Sequence, residues 1–366
     1  MLTEADAGYM ARCIELALQG AGSVSPNPMV GSLIVCDGSV IGEGYHMQCG
    51  GPHAEVNAIA AVCDPSLLSR STLYVNLEPC SHFGRTPPCS DLIIEKKIPR
   101  VVVGCRDPNP KVAGRGIMRL RDSGVDVYEG VLEAECLRLN EAFITSHTKG
   151  RPFVALKIAE TLDGRIATAD GASKWITGSE ARREVHRLRS TYDAVLAGAA
   201  TVLLDRAQLT VRDVDGPSPL RVVLDSGLRV PFDAPVFSSD APTLVFAAGR
   251  MQGTPEASAA EKKGIEVVFT REVPGGLDLS QVLRELHRRE VLSLFVESGS
   301  RLSAAFVRAG LADKLLMFIA PKLFGADALP SFAPLAVEAP SGAVQLEFGQ
   351  SKAFGRDILL EAYFQS

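Results

Sequence analysis

The stretch that decides the fold reads Gly51-Pro52-His53-Ala54-Glu55, and Pro79-Cys80 and then Cys89 follow it along the chain. One imidazole and two thiolates are donors that Zn²⁺ prefers, and a catalytic zinc site uses three protein ligands and leaves the fourth position to water. A helix that begins near His53 and another that begins at Cys89 would bring these donors together at helix N-termini, where backbone dipoles favour thiolates. We therefore predict a zinc site with His53, Cys80 and Cys89 as ligands.

Two alternatives to this ligand set remain at this point. His53 and the cysteines can be ordinary buried residues, because chance pairs of cysteines are common. His82 lies in the segment that loops out between the two cysteines and is an alternative third ligand, although a loop contact with substrate or solvent suits it better. The combination of His-x-Glu with Pro-Cys favours the zinc site.

Glu55 follows His53 by two residues and would point from the same helix end toward the open face of the metal. Zinc lowers the pKa of a bound water toward ~7, and a nearby carboxylate can then move protons. His-x-Glu followed by Pro-Cys and a second Cys is typical of nucleobase deaminases, in which the Glu is the acid and base and not a ligand. We predict that the first half removes an amino group hydrolytically from a pyrimidine-like ring, with Glu55 as the catalytic residue.

The composition limits the classes of partner. The chain has 366 residues and a net charge of −5, without a basic stripe for a polynucleotide or a polybasic run for a membrane surface. No apolar run is long enough to span a bilayer, and the acidic opening Met1-Leu2-Thr3-Glu4-Ala5-Asp6 lacks the positive charge of a secretory signal. We therefore expect a cytoplasmic protein that binds neither nucleic acid nor membrane.

The length of the chain predicts two domains. All eight cysteines lie at or before Cys136, which already separates the two halves, and we expect the six that are not ligands to be buried. The polar segment 146–152 ends in Gly150-Arg151-Pro152 and marks the boundary. We predict a deaminase domain over residues 1–147 and a second domain over residues 148–366.

Both halves alternate strand and helix patterns, which predicts α/β domains, the first with three layers. In the first half we predict a helix over residues 5–19, a hairpin around Asp37-Gly38 and a closing helix over residues 132–144. In the second half we predict helices over residues 179–189, 279–289 and 302–309. Two antiparallel strands are expected between residues 344 and 364.

The second half lacks the Gly-x-Gly-x-x-Gly fingerprint of dinucleotide-binding domains. It has two glycine turns between a strand and a helix, one at Ser298-Gly299-Ser300 and one at Gly198-Ala199-Ala200. Backbone N–H groups at such a helix start can hold a pyrophosphate. Plain strand-to-helix turns explain the two segments about equally well.

The motifs of both halves resemble those of one family, the bifunctional deaminase–reductases of riboflavin biosynthesis. The long segment between the two cysteines is itself typical of that family. The matching segments of the first half are residues 25–31, 51–55, 78–82, 84–89 and 107–110. Those of the second half are residues 157–159, 162–165, 173–177, 199–203, 209–212 and 296–299.

This resemblance implies a cytidine-deaminase-like three-layer α/β/α domain with Zn²⁺, followed by a dihydrofolate-reductase-like α/β domain that uses NADPH. The residues that it implies for the NADPH site are Ala159, Trp175, Thr201, Asp205, Ser226, Gly299, Ser300, Arg301, Leu302, Ser303, Ala304 and Ala305. The residues that it implies for substrate binding are Ser173, Arg189, Leu209, Arg212 and Glu297 in the second domain, and Asn27 and Arg85 in the first.

The implied reactions are deamination of 2,5-diamino-6-ribosylamino-4(3H)-pyrimidinone 5′-phosphate and reduction of the ribosyl side chain to ribityl. The product is 5-amino-6-ribitylamino-uracil 5′-phosphate, so the partner is a small phosphorylated pyrimidine, and a homo-oligomer is allowed. Two other functions compete with this one. They are a nucleic-acid deaminase with an accessory domain, which the net charge of −5 disfavours, and a structural zinc site joined to a nucleotide sensor, which leaves Glu55 without a purpose.

Overall fold

The computed structural model describes residues 2–81, 87–109 and 113–365. The chain divides into two compact units, Met1–Gly150 and Arg151–Ser366. The boundary predicted after residue 147 falls inside the helix Glu141–Lys149, which continues until Gly150 adopts a left-handed conformation with φ 62°. A glycine in this conformation is a common helix end, so the first unit ends at Gly150, inside the polar segment 146–152 but after the predicted boundary.

The first unit is built on one five-stranded sheet of order β2-β1-β3-β4-β5. Strands β3, β4 and β5 are parallel, and β1 pairs antiparallel with both β2 and β3. The strands are β1 Gly31–Cys36, β2 Ser39–Tyr45, β3 Thr72–Leu77, β4 Arg100–Cys105 and β5 Asp126–Glu129. The helices are α1 Glu4–Leu18, α2 Ala54–Ala60, α3 Cys89–Glu95, α4 Arg115–Asp122, α5 Glu133–Leu139 and α6 Glu141–Lys149, with a 3₁₀ helix at Pro65–Arg70.

The predicted hairpin joins β1 to β2, and Asp37 and Gly38 take φ values of 50° and 77° in its turn. Two glycines in β2 let helix α2 lie unusually close to the sheet. A Cβ atom on Gly42 or Gly44 would lie 2.3 Å from the Ala58 backbone of α2. This close approach fixes the distance between the sheet and the N-terminus of α2, where His53 is the N-cap residue.

The predicted closing helix is two helices in the structure. Helix α5 ends at Leu139 and α6 begins at Glu141. Asn140 between them donates from Nδ2 to the Met29 carbonyl and accepts the Met29 N–H at Oδ1, at 2.9 and 2.8 Å. An asparagine side chain that bonds to distant backbone competes with the helix ladder, which explains the break.

The second unit is built on a nine-stranded sheet of order β11-β10-β9-β8-β14-β6-β15-β18-β17, in which only the pairs that involve β18 are antiparallel. The strands of this sheet are β6 Phe153–Thr161, β8 Ala194–Gly198, β9 Leu220–Leu224, β10 Thr243–Ala248, β11 Glu266–Thr270, β14 Ser293–Glu297, β15 Lys314–Ala320, β17 Leu346–Phe354 and β18 Asp357–Phe364. Four short strands form two small sheets: β7 Arg165–Ala167 with β16 Leu329–Pro330, and β12 Glu272–Val273 with β13 Gly276–Leu277. The helices are α7 Ser179–Arg189, α8 Ala199–Asp205, α9 Pro255–Lys262, α10 Leu279–Arg288 and α11 Ser300–Arg308, with 3₁₀ helices at Pro235–Phe237, Gly249–Met251 and Pro340–Gly342.

The carboxyl ends of three neighbouring parallel strands, β9, β8 and β14, meet at one edge of this sheet. Helix α8 follows β8 directly, and α11 follows β14 after Ser298 and Gly299. In open α/β sheets, ligands bind outside the carboxyl ends of such strands, so this edge is where the second site is expected. In the part of the chain that the structure describes, every helix is too short or too polar to span a bilayer.

Candidate active sites

The three predicted zinc ligands converge in the first unit. His53 caps α2, Cys80 follows β3, and Cys89 is the first residue of α3. Their donor atoms all lie within 4.8 Å of one another, and His53 Nδ1 is 3.6 Å from Cys80 Sγ and 3.3 Å from Cys89 Sγ. One nitrogen and two sulfur donors in this arrangement fit the ligand set of a catalytic zinc ion.

The electrostatics of this cluster favour a thiolate. The hydrogen bond from Cys89, helped by His53, lowers the pKa of Cys80 to about 4 although burial opposes this change. The same hydrogen bond raises the pKa of Cys89. The hydrogen bond to Cys80 also raises the pKa of His53. Cys80 is therefore ready to bind a cation, and Cys89 holds the proton that a metal ion would displace.

Glu55 lies against the two thiols in the first turn of α2. Its side chain is only 3% exposed. Burial, and then the charge of Cys80, raises the pKa of Glu55 to about 7, while His53 and a hydrogen bond with Cys89 oppose the rise. A carboxyl group whose pKa lies near neutrality can both accept and release a proton.

Asn27 reaches the same site through a residue that the sequence analysis missed. Asn27 Nδ2 is 3.0 Å from His46 Nε2, and His46 Nδ1 is 2.9 Å from the Pro52 carbonyl. The rings of His46 and His53 meet edge to face with centroids 5.6 Å apart. Nothing in the local sequence indicated His46, because its role depends on where the end of β2 meets the start of α2.

Glu78 is a second missed residue. Its buried carboxylate accepts four backbone N–H groups, from Asp107, Gly114, Gly116 and Ile117, at 2.9 to 3.3 Å. Cys80 follows Glu78 by two residues. The carboxylate therefore connects the segment that carries one predicted zinc ligand to the start of α4. Its place in Glu78-Pro79-Cys80 was the only available signal.

Arg85, which was predicted to contact the substrate, lies outside the described residues. The same holds for His82, the alternative ligand, and for Pro110. Two of the cysteines that were expected to be buried, Cys49 and Cys63, are exposed. Both lie in loops outside the helices and strands.

In the second unit, Arg189 and Glu297 form a two-pronged ion pair, with Nη2 2.9 Å from Oε2 and Nε on Oε1. Arg189 Nη1 also donates to the Thr210 carbonyl at 3.0 Å. Arg212 donates from Nη1 to the Thr210 hydroxyl at 3.0 Å, and Leu209 is buried beside it with φ 58°. Four of the predicted substrate residues are thus connected through the segment 209–212.

The fifth predicted substrate residue, Ser173, contacts a predicted cofactor residue. Its hydroxyl donates to Asp205 Oδ1 at 3.0 Å, and Lys174 Nζ donates to the Asp205 carbonyl at 2.7 Å. Lys157 in β6 lies close enough to Glu297, Arg189 and Asp205 for their charges to affect the pKa of its ammonium group. Burial lowers the pKa of Lys157, while Glu297 and Asp205 oppose this change. A lysine between Leu156 and Ile158 in a buried strand was the signal for this residue.

A cavity of about 490 Å³ opens at the carboxyl ends of β8 and β9 beside α11. Four predicted cofactor residues line it, Ser226, Arg301, Leu302 and Ala305, together with the Gly198-Ala199-Ala200 turn. Trp175 is 63% exposed and lines a separate cavity of about 500 Å³, with the Arg182 guanidinium 4.4 Å from its ring centroid. The other predicted cofactor residues line neither cavity: Ala159 lies in β6, Thr201 and Asp205 in α8, and Gly299, Ser300, Ser303 and Ala304 at the start of α11.

Comparison with known proteins identifies both halves. The family model "RibD C-terminal domain" matches residues 152–360, and the model "Cytidine and deoxycytidylate deaminase zinc-binding region" matches residues 3–105. The riboflavin biosynthesis protein RibD of Aquifex aeolicus is 43% identical over 327 residues, which cover 89% of each chain. The protein of the same name from Escherichia coli K12 is 40% identical over 97% of this chain and 98% of its own. The chain belongs to the RibD family.

Two solved structures of this family match over nearly the whole chain. The diaminohydroxyphosphoribosylaminopyrimidine deaminase/5-amino-6-(5-phosphoribosylamino)uracil reductase of Thermotoga maritima has 40% identity and a TM-score of 0.86. RibD of Acinetobacter baumannii has 35% identity and a TM-score of 0.88. Each covers 99% of this chain and 99% of its own.

Membership in the RibD family confirms several predictions. The fold class, a cytidine-deaminase-like domain followed by an α/β reductase domain, is confirmed. The protein is a bifunctional deaminase and reductase of riboflavin biosynthesis. Its predicted cofactors are confirmed as well, Zn²⁺ for the deaminase and NADPH for the reductase.

Proposed function

We propose that the first unit deaminates 2,5-diamino-6-ribosylamino-4(3H)-pyrimidinone 5′-phosphate and that the second unit then reduces the ribosyl side chain of the product to ribityl. The observation that carries this proposal is the cluster of His53, Cys80 and Cys89 with Glu55 buried against it. The printed name of the Thermotoga maritima relative supports the order and the substrate class. We place the deaminase in the first unit, Met1–Gly150, and the reductase in the second unit, Arg151–Ser366.

In the deaminase, His53, Cys80 and Cys89 hold the zinc ion. When bound, zinc lowers the pKa of a water molecule toward ~7. Glu55 would take one proton from the attacking water and pass it to the ring nitrogen. It would then take the second proton from the hydroxyl group now on the carbon, as the carbonyl forms, and deliver it to the leaving amine. The reaction consumes one water and releases one ammonia. Asn27, oriented by His46, contacts the pyrimidine ring.

In the reductase, Ser173, Arg189, Leu209, Arg212 and Glu297 form the substrate site. Glu297 already occupies two of the Arg189 nitrogens, so Arg189 is held rigidly and Arg212 is the freer guanidinium for the substrate phosphate. NADPH, when bound, supplies the hydride that reduces the ribosyl carbon. We assign Lys157, which lies in β6 near the charges of Glu297 and Asp205, as the group that would give a proton to the ribosyl oxygen as the ring opens.

We place the cofactor site at the carboxyl ends of β9, β8 and β14 in the second unit. Ser226, Arg301, Leu302 and Ala305 line the cavity there, and the N-terminus of α11 offers backbone N–H groups to a pyrophosphate. We assign the remaining predicted residues to the same cofactor along its length: Ala159, Trp175, Thr201, Asp205, Gly299, Ser300, Ser303 and Ala304.

The direct test supplies the diaminopyrimidinone phosphate together with NADPH and follows ammonia release and NADPH oxidation in the same sample. We expect ammonia first and then NADPH oxidation in equal amount, because the reductase acts on the deaminated product. Ammonia release without NADPH oxidation, while the deaminated product is present, would contradict the bifunctional proposal. NADPH oxidation without ammonia would contradict the proposed order.

A further inference from the structure

We propose that Arg229 selects NADPH over NADH by binding the 2′-phosphate on the adenosine of the cofactor. This inference rests on the proposed reductase function, because it assigns one residue a role inside that cofactor site. Arg229 is not part of the family motifs in the sequence, and it lines the same cavity as Ser226 and Arg301.

The position of Arg229 follows from the order of the strands. The carboxyl ends of β14, β8 and β9 are neighbours, so the end of β9 lies about 10 Å from the start of α11, at ~4.8 Å for each strand step. The proposed substrate residues Arg189 and Glu297 meet at the end of β14. A pyrophosphate at the α11 N-terminus would then direct the nicotinamide toward them and the adenosine ribose toward the end of β9. Arg229 stands there, three residues after Ser226.

The guanidinium of Arg229 is held in place by a buried acid. Its Nε donates to Asp225 Oδ1 at 3.1 Å, while the side chain is 63% exposed. Within the described ranges, its two terminal nitrogens bond to nothing else. A guanidinium anchored through Nε presents both terminal N–H groups outward in a fixed fork, which matches two oxygens of a phosphate.

Asp225 itself is not available to a cofactor. It is 2% exposed, and its second oxygen accepts the Val230 N–H at 2.8 Å. In dinucleotide sites that prefer NAD, an acidic residue accepts the ribose 2′-hydroxyl, whereas a nearby arginine accommodates the 2′-phosphate of NADP. By this analogy, the end of β9 favours NADPH over NADH, because its acid Asp225 is buried and its arginine Arg229 is exposed.

The other charged residues that line the cavity are less suited to bind the 2′-phosphate. Arg301 lies in the first turn of α11 and has no side-chain partner among the residues described, so it is placed for the pyrophosphate that both cofactors share. Arg308 donates to the Pro334 carbonyl at 2.8 Å. The lining acid Asp278 is bound to Arg271 and caps α10. The residues present thus fit a dinucleotide with an additional phosphate at β9.

The test measures binding rather than turnover, on the full-length chain by calorimetry. The probes are 2′-phospho-ADP-ribose and ADP-ribose, which differ only in the phosphate in question. Arg229→Gln should weaken binding of the 2′-phosphorylated probe by roughly 10- to 100-fold, the worth of a charge-assisted hydrogen-bond pair, and leave ADP-ribose unchanged. Arg229→Lys, which keeps the charge and loses the fork, should retain part of the preference.

Two matched variants complete the experiment. Arg301→Gln should weaken both probes, because the pyrophosphate is common to them. Arg250→Gln should change neither, since Arg250 is an exposed arginine that pairs with Glu272 and does not line the cavity. A thermal melting curve unchanged from that of the unmodified chain reports that the second unit of each variant is folded.

Equal loss of both probes in Arg229→Gln, or an unchanged preference, would overturn the inference and leave the reductase proposal standing. If the unmodified chain binds neither probe and oxidises no NADPH with the deaminated substrate, the reductase proposal fails and the inference fails with it. NADPH oxidation that continues with an unchanged NADPH preference in Arg229→Gln separates the first failure from the second.

Discussion

Glu55 is a carboxyl group that the first turn of α2 removes almost completely from water. Burial raises its pKa to about 7, so both protonation states are accessible near neutral pH. An exposed glutamate would be ionised throughout this range. The reactivity of this residue therefore arises from its place in the fold as much as from its type.

Glu55→Gln should abolish proton transfer while it preserves the shape of the side chain. We expect ammonia release to fall by at least ~10²-fold, the usual contribution of a positioned acid and base. Zinc content should stay unchanged, because Glu55 is not among the three clustered donors. The measurements are an ammonia assay and metal analysis of the purified chain.

The control for this variant is Glu15→Gln, at an exposed glutamate that pairs with Arg12. It should leave both quantities unchanged. Full ammonia release by Glu55→Gln, with zinc retained, would show that another group moves the proton.

The site residues that could be predicted from the sequence are those that belong to short motifs with a known chemical role. His53, Cys80 and Cys89 were chosen from donor type and spacing, and the fold brings them together. His46 was not chosen, because its surroundings depend on contacts with residues far along the chain. Such contacts between distant segments cannot be predicted from the adjacent residues alone.

At the scale of elements, Glu78 joins the end of β3 to the start of α4. Four N–H groups converge on its two oxygens, and the chain between β4 and α4 depends on them. Gly116 makes this approach feasible, since a Cβ atom there would lie 2.0 Å from the Pro79 carbonyl. The proposed zinc ligand Cys80 is thus held in place by an element that supplies no proposed ligand itself.

Glu78→Gln should loosen this connection. The amide replaces one acceptor oxygen by a donor, so buried N–H groups lose their partner at a cost of roughly 1–3 kcal/mol each. We expect faster zinc release to a chelator dye and slower ammonia release, with NADPH oxidation of supplied deaminated substrate unchanged.

The matched variant is Glu129→Gln, which removes a carboxylate of the same unit that pairs with Arg106 and Arg121 at the surface. Surface pairs contribute about 0–1 kcal/mol, so zinc release should not change. An equal rate of zinc release from both variants would mean that Glu78 has no special role in holding the site.

The elements that could be predicted are those with a strong periodic pattern or a clear cap. Helix α7 has the predicted bounds, and α1, α10 and α11 shift by only one or two residues. Helix α9 was missed although Thr254 accepts the Ala257 N–H and Pro255 opens it, because its alanine-rich face carries a weak apolar pattern. The two-residue strands were missed because pairing with a partner, and not composition, defines them.

At the scale of the whole molecule, the two chemistries are separated along the chain. Among the described residues, the cluster of donors suited to a metal ion lies in the first unit, and the cavity that we propose for the dinucleotide lies in the second. The resemblance of the motifs was needed to predict this pairing, because neither glycine turn of the second unit is distinctive by itself.

Removal of zinc should therefore stop one reaction only. After treatment with a strong chelator, we expect no ammonia release, while NADPH oxidation with supplied deaminated substrate continues at its original rate. Addition of zinc should restore ammonia release. Loss of both activities on chelation would show that the reductase depends on the metal or on the deaminase being intact.

The uneven distribution of cysteine makes the two halves differ in their sensitivity to thiol-reactive agents. All eight thiols lie in the first unit, and two of them are the proposed metal ligands Cys80 and Cys89. Peroxides, electrophilic drugs and heavy metals attack thiolates, so such agents find their targets in one half of the chain. Under oxidative stress, a cell would keep a catalyst that finishes the molecules already deaminated and starts no new ones.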